Sequence, residues 1–360
     1  MATVSTLGSH SALDVCEGAK KEGLKNLVVC KKGREKTYSQ HYKARKRSDG
    51  REVGVVDEVL LLDDFREIVG EEAQGKLEGS VFVPNRSFSV YVGYDNIEKE
   101  FQVPIFGNKH LLRAEERDVP KNQYLLLEDA KVNIARTFAP GNIDALALVK
   151  VQEAERSYER AFFFASSPEE YEAKSKELIE KGVIKEGDLR NARIEEFILG
   201  AQFNFNFFMS PLTGELELLG IDTRRQTNLD GILRLPAPQQ TEVLKHARLT
   251  TIETGHIACT LRESLLEKVF EAGERFVKTV KKHYPDGLIG PFALQSAMEE
   301  RDGKERVVVF DVSFRMPGSP GTRYTPYSSY LYGESVSFGR RVAMEIREAE
   351  KENRMEEITT

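Results

Sequence analysis

Three stretches of the sequence combine residue types that could handle a phosphorylated ligand. Gly8-Ser9-His10 follows an apolar run and precedes an amphipathic one, so it falls where a strand gives way to a helix. A helix entered that way leaves backbone N–H groups unpaired and concentrates partial positive charge, which suits a phosphate or carboxylate. Gly8 would let the backbone approach closely, and Ser9 and His10 add side-chain donors. An ordinary helix cap made of the same residues is the alternative. Asn85-Arg86-Ser87 takes the corresponding position after "SVFV". Far along the chain, Gln295 in "GPFALQS" and Asp311 in "VVVFDVSFR" fall on two predicted neighbouring strands and present oxygens toward one face. With Arg315 four residues on, they could hold Mg²⁺, which draws most of its ligands from water and nucleotide phosphates. A polar surface hairpin would look similar. Between these ends, Lys150 in "LALVKV" offers charge for a phosphate, and Glu195-Glu196 in "RIEEFIL" offer a carboxylate for ribose hydroxyls. Exposed strands often carry the same alternation.

The elements needed to position these residues are readable in outline. "TVSTL", "SALDVCEGAKKEG" and "NLVVC" predict a parallel strand–helix–strand unit, with Gly23 ending the helix. "EVLLLDDF" and "GSVFVPNRSFSVYVG" continue the alternation of an open α/β sheet, whose ligands sit beyond the carboxyl ends of the strands. A polar stretch over 113–144 ends in the turn-rich "APGNID", read as a hinge. Beyond it, "ALALVKV" and "RAFFFASS" predict an antiparallel pair, and Ser167 with Glu170 a capping box opening a charged helix. "RIEEFIL", "QFNFNFFMS" and "LELLGID" read as strands, and "RESLLEKVFEAGERFVKTVKKHY" has a helical apolar period at Leu265, Leu266, Val269, Phe270, Phe276 and Val277. "GLIGPFALQSA" and "ERVVVFDVSFRM" close as strands before a last helix, "GRRVAMEIREAEKE".

Composition narrows the function classes. At 360 residues the chain can hold more than one packed lobe. A formal charge of −6 argues against general nucleic-acid binding. The basic stretch "KARKRSDGR" at 43–51 has no aromatic residue to stack on bases and reads as a solvated loop. No apolar run approaches the length of a membrane span, and "MATVSTLGSH" lacks the basic-then-apolar order of a signal peptide, so a cytoplasmic protein is expected. Cys16, Cys30 and Cys259 have neither disulfide parity nor metal-ligand spacing and are expected to be reduced, with Cys16 packed.

Taken in order, Gly-Ser-His, "VPNRSF", "PIFGNK" with "LLR", "LVK", "IEEFILG", "SPLTGELELLGID", "TNLDGILRLPA", "RESLL", "IGPFALQS", "VVFDVSFR" and "GRRVAMEI" resemble one family. It is the archaeal formate-dependent ligase family that makes 5-formaminoimidazole-4-carboxamide ribonucleotide (FAICAR), a group of ATP-grasp enzymes in purine (IMP) biosynthesis. The resemblance runs from about residue 4 to about residue 355. It implies an α/β fold: a Rossmann-like pre-ATP-grasp domain at 1–112, a small ATP-grasp lobe at 113–197, and a large lobe at 198–360 with metal and substrate residues. It further implies that 5-aminoimidazole-4-carboxamide ribonucleotide (AICAR) is bound by His10, Ser87 and Asn228, ATP by Lys150, Glu195 and Glu196, and Mg²⁺ by Gln295 and Asp311. Formate would be activated by ATP as formyl phosphate and transferred to the AICAR amine, and the chain would assemble as a trimer or hexamer, with no nucleic-acid or membrane partner.

One departure bears directly on this chemistry. Where the family carries a glycine-rich loop over the phosphates, the chain reads "VQEAERSYERAFFF", with no glycine and with Glu153, Glu155 and Glu159, which would repel phosphate. Two alternatives follow: a related ligase joining another small acid and amine, or a catalytically silent nucleotide-binding paralogue.

Overall fold

The computed structural model describes residues 2–116, 119–151, 162–190, 192–247 and 252–360. The acidic stretch that replaces the glycine-rich loop lies, over 152–161, outside the described residues.

β1 (Thr3–Leu7), α1 (Ala12–Lys21) and β2 (Lys25–Lys31) form the expected parallel unit, and Gly23, at φ +75°, releases the chain from the helix. The basic stretch forms a small ribbon, β3 (Arg45–Lys46) with β4 (Glu52–Val53). β5 (Glu58–Leu62), α2 (Glu71–Leu77) and β6 (Ser80–Val83) then complete a parallel sheet of order β5-β2-β1-β6. The chain adds β2 and β5 on one side of β1 and then crosses to lay β6 on the other. The loops leaving β1 and β6 therefore diverge and open a crevice at the carboxyl ends of the strands.

After α3 (Arg86–Val92), α4 (Tyr94–Lys99), α5 (Lys109–Arg113) and α6 (Gln123–Asp129), the chain builds a three-stranded antiparallel sheet. Its order is β8-β7-β9, from β7 (Ala147–Lys150), β8 (Phe162–Ala165) and β9 (Arg193–Glu196). α7 (Pro168–Glu180) and α8 (Glu186–Leu189) lie between β8 and β9. Half of the expected capping box forms: Glu170 N donates to Ser167 Oγ at 3.2 Å, but the Glu170 carboxylate reaches back to Ser166 N instead of Ser167.

The third sheet is antiparallel, ordered β12-β11-β10-β13-β14, from β10 (Ala201–Met209), β11 (Leu216–Gln226), β12 (Glu253–Cys259), β13 (Gly290–Arg301) and β14 (Lys304–Ser313). The β13–β14 turn is Asp302-Gly303, both at positive φ, as a tight hairpin requires. α9 (Thr227–Ile232) and α10 (Ala237–Leu244) follow β11, and α11 (Leu266–His283) covers one face of the sheet with Val269, Ala272, Phe276 and Val280 packed among Phe205, Phe207, Phe292 and Leu294. The edge strand β14 is not left bare. Val309 N donates to Asn133 O at 2.8 Å, Val312 N to Gln123 Oε1 at 2.5 Å and Phe314 N to Glu115 Oε1 at 2.9 Å.

Packing crosses the expected boundaries near 112 and 198. Leu126 and Leu127 of α6 belong to the core of the five-stranded sheet. After α12 (Pro326–Tyr332), α13 (Phe338–Glu352) returns to lie on α1. The two helices meet at glycines: a β-carbon on Gly18 would lie 2.2 Å from Gly339 C, and one on Gly339 would lie 2.1 Å from Asp14 O. Thr360 then pairs with Ile105, N–H to carbonyl in both directions at 3.0 Å.

Candidate active site

The crevice between β1 and β6 holds the first group of expected residues. Ser9 and His10 leave β1, and Asn85 caps α3 after β6. Asn85 Nδ2 donates to Leu7 O at 2.8 Å, so one side chain ties both loops together. Ser87 Oγ donates to Ser9 Oγ at 2.6 Å, and Ser9 Oγ lies 3.2 Å from His10 Nδ1. Two details differ from the sequence reading. The residue before α1 is Ser11, in a left-handed conformation and without a side-chain cap bond, so Ser9 and His10 stand ahead of the helix. Gly8 is small for a packing reason: a β-carbon there would meet Cys30 Sγ at 2.9 Å, Tyr38 at 3.0 Å and Val28 at 3.2 Å. Its missing side chain is required by the core.

The second group is arranged by strand register. Asn204 pairs with Asp222 on one side and Gln295 on the other, and Gln295 pairs with Asp311. Directly opposed residues share a face, so Asp222, Asn204, Gln295 and Asp311 form a polar row across β11, β10, β13 and β14. The aromatic residues that alternate with the asparagines, Phe203, Phe205 and Phe207, turn to the α11 side. Asp222 is 1 % exposed and saturated: Asn204 Nδ2 donates at 2.9 Å, Asn206 Nδ2 at 2.6 Å, and His256 Nδ1 lies at 2.5 Å.

Three links join the two groups. His10 Nε2 stands 3.9 Å from Glu253 Oε1. Glu253 is held by His256 Nε2 at 2.8 Å and by Arg224 Nε at 3.1 Å. Arg224 in turn donates from its Nη2 to Gln295 Oε1 at 2.5 Å. Burial lowers His10 below the ordinary imidazole value, aided by Arg315 and Arg86 and opposed by Glu253. Burial also disfavours charge on His256, but its bonds to Asp222 and Glu253 outweigh that and raise it to about 9. For Glu253 the His256 bond and Arg224 overcome burial and bring the carboxyl down to about 2. The surroundings thus bias one imidazole toward the neutral form and the other toward the imidazolium.

A group of cations lies beside the row. Arg86 and Arg315 each approach the buried Glu115 carboxylate at 3.3 Å. Burial pulls Arg315 below the usual guanidinium range, with Arg86 and Arg224 pushing the same way, and its Nε makes no aligned hydrogen bond. Such a group favours an incoming anion.

The three-stranded sheet carries the remaining residues. Lys150 and Glu195 are 7 % and 3 % exposed and form an ion pair on adjacent strands. Glu196 accepts from Arg136 Nε at 2.8 Å and from Arg301 Nη2 at 2.7 Å, linking this sheet to β13. Asn228 sits on α9, just beyond Gln226, whose register partner is Glu253. A groove of about 730 Å³ lined by Lys268, Arg275, Arg301 and Arg306 lies between α11 and the β13–β14 turn and does not include the polar row.

Among the described residues no cluster of three His, Cys, Asp or Glu groups could hold a metal, which leaves the Gln295–Asp311 pair. One carboxylate and one amide oxygen are donors that suit Mg²⁺, which keeps waters and takes phosphate oxygens, and would not satisfy Zn²⁺; Gln295 Oε1 accepts from Arg224 here and would have to exchange that bond for the ion. Asp222, Glu253 and His256 were missed as a unit by sequence reasoning, because they meet only through the pairing of β11 with β12. The alternation in "FNFNFF" was the available signal for the polar face.

Comparison with known proteins yields a consistent set. The model for a protein of unknown function, DUF1246, matches residues 4–138, and that for a domain of unknown function, DUF1297, matches residues 170–360. The chain is 39% identical over 99% of its length, and 95% of the relative's, to 5-formaminoimidazole-4-carboxamide-1-(beta)-D-ribofuranosyl 5'-monophosphate synthetase of Methanopyrus kandleri. The protein of that name from Methanothermobacter thermautotrophicus is also 39% identical, over 99% of this chain and 94% of its own. Among solved structures, the IMP biosynthesis protein PurP from Thermococcus kodakaraensis superposes with a TM-score of 0.73 at 30% identity, covering 99% of this chain and 100% of that one. An ADP complex of N5-carboxyaminoimidazole ribonucleotide synthetase, at 12% identity and a TM-score of 0.58 over 93% of this chain and 77% of that one, shares the fold alone.

Proposed function

Because the chain belongs to the 5-formaminoimidazole-4-carboxamide ribonucleotide synthetase family, we propose that it is an ATP-dependent carbon–nitrogen ligase of IMP biosynthesis, joining formate to AICAR to give FAICAR, ADP and phosphate. A formate oxygen attacks the γ-phosphorus of ATP, ADP leaves, and formyl phosphate forms. The AICAR amine then attacks the formyl carbon, phosphate leaves, and the amine loses a proton. The observation that carries this reading is the single polar row Asp222–Asn204–Gln295–Asp311, linked through Arg224 and Glu253 to His10 at the crevice of the parallel sheet.

In this reading His10, Ser87 and Asn228 hold the ribonucleotide, and the lobe carrying Lys150, Glu195 and Glu196 holds ATP. Lys150 acts from within its buried ion pair with Glu195. Arg86, Arg224 and Arg315 offset charge on the transferring phosphoryl group and on the departing phosphate. Gln295 and Asp311 would hold Mg²⁺, which supplies further neutralisation of phosphate oxygens. Formyl phosphate hydrolyses readily, so the lobes must exclude water around it. The division at 112 and 197, and assembly as a trimer or hexamer, belong to the same proposal; light scattering tests the latter. Among the described residues no helix is long and apolar enough to cross a membrane.

The glutamates of the 152–161 stretch support a second reading, in which another acid and amine are joined or the chain only binds nucleotide. Phosphate release from ATP discriminates. A requirement for both formate and AICAR supports the first reading, and release with another acid supports a different ligase. No release, with AICAR still raising the melting temperature, leaves a silent binder.

A further inference from the structure

His10 is poised between a serine pair and a carboxylate from another sheet. Ser87 donates to Ser9, which leaves the Ser9 proton for His10 Nδ1. In the neutral ring the hydrogen then sits on Nε2, the nitrogen that faces Glu253. At 3.9 Å the two are close enough for electrostatic attraction and too far for a hydrogen bond. Glu253 itself is anchored: His256 bonds Oε1, Arg224 forms an ion pair with Oε2 without an aligned hydrogen bond, and His256 is fixed behind by Asp222. Gly318 closes the remaining space, since a β-carbon there would lie 3.2 Å from both His10 Cδ2 and His256 Nε2. The carboxylate is thus fixed on the sheet side by His256 and faces the His10 ring nitrogen that the serine pair does not engage.

We propose that Glu253 is the positioning residue that, acting on Nε2 while the Ser9–Ser87 pair acts on Nδ1, holds His10 in its Nε2–H form, oriented for the ribonucleotide, and that it couples this end of the site to Gln295 through Arg224. What His10 binds rests on the ligase reading above; the orientation of His10 does not. A group on β12 would in this way set the geometry of a loop leaving β1, across the junction between two sheets.

The test is Glu253→Gln, which keeps the size and an acceptor oxygen but removes the charge. In the ligand-free protein, ¹⁵N NMR of the imidazoles should show a defined Nε2–H form of His10 in the wild type. In the variant it should show a larger share of the Nδ1–H form against the pull of Ser9, and a lower titration midpoint, because the Glu253 charge favours the imidazolium. In steady-state assays the variant should raise the KM for AICAR about tenfold, the scale of one hydrogen bond from His10 to the ribonucleotide lost when the ring is misoriented, with the KM for ATP and kcat changed less than about threefold. His10→Asn/Glu253→Gln should be no worse than His10→Asn alone. If Glu253→Gln does not fold, Glu253→Asp, which keeps the charge but retracts it, should show the same selective rise. An unaltered His10 tautomer in either variant, or additive effects of the two substitutions, would overturn the proposal. A wild type that does not formylate AICAR would instead sink the ligase reading, and the NMR result would still decide the role of Glu253.

Discussion

Replacing Lys150 by Met separates folding from nucleotide binding. Lys150 and Glu195 are both buried and paired, so the substitution leaves a carboxylate inside the three-stranded sheet. Losing one member of a buried pair costs about 3–5 kcal/mol when nothing else compensates. Glu195 keeps a second cation, Arg193, whose Nε donates to it, so about 2–3 kcal/mol is expected here. The double variant Lys150→Met/Glu195→Leu should recover part of that loss, since apolar replacement of a buried pair is often neutral or stabilising, while Arg193 loses its Glu195 partner. It should not recover ATP. Removing a phosphate-directed cation should weaken ATP at least about 30-fold, or about 2 kcal/mol. Thermal unfolding reads the first quantity and titration calorimetry with ATP the second. A double variant as unstable as the single would refute the energetics of the pair. A stable double variant that binds ATP like the wild type would refute the role assigned to Lys150.

Other consequences are equally accessible. Gly18→Ala should lower stability by at least about 1–3 kcal/mol, because its β-carbon would sit 2.2 Å from Gly339 C and the two helices must separate; an unchanged melting temperature would show that they are not held that closely. Stability should depend on pH through His256 and Glu253. His256 is raised from 6.5 to about 9, so its contribution is complete below about pH 6.5 and fades as pH rises through 9. Glu253 is lowered from 4.5 to about 2, so its contribution is complete above about pH 4.5 and fades as pH falls through 2. His256→Gln should therefore flatten the alkaline limb by about 1–2 kcal/mol after allowance for solvent screening, and chemical denaturation at pH 6 and pH 9.5 measures it. Asp311→Ala should lower turnover at least about tenfold and raise the Mg²⁺ concentration needed, whereas unchanged activity would remove Asp311 from the metal. Glu155→Gly, which takes one negative charge from the acidic stretch, should tighten ATP.

Much of the scaffold was legible because it is local. Period-two and period-3.6 patterns place β1, α1, β2 and α11, and Gln295 and Asp311 turn out to be register partners, as two adjacent apolar strands with matched polar positions suggested. What escaped depends on distant parts of the chain meeting. Glu253 and His256 matter because β12 lies beside β11, a pairing that no local pattern reveals. Gly8 reads in sequence as a glycine for a ligand, and the packing need that Cys30 and Tyr38 place on it, from β2 and from the segment that follows, has no local signal. The Gly18–Gly339 crossing joins residues more than three hundred positions apart, and two ordinary-looking glycines carry no signal of it.

The most direct measurement follows oxygen. With formate labelled by ¹⁸O, ATP, Mg²⁺ and AICAR, a formate oxygen that attacks the γ-phosphorus stays on phosphorus when the amine displaces phosphate. The account predicts one ¹⁸O atom in the released phosphate for each FAICAR formed. FAICAR appearing with unlabelled phosphate, or ATP turning over without regard to formate and AICAR, would contradict it.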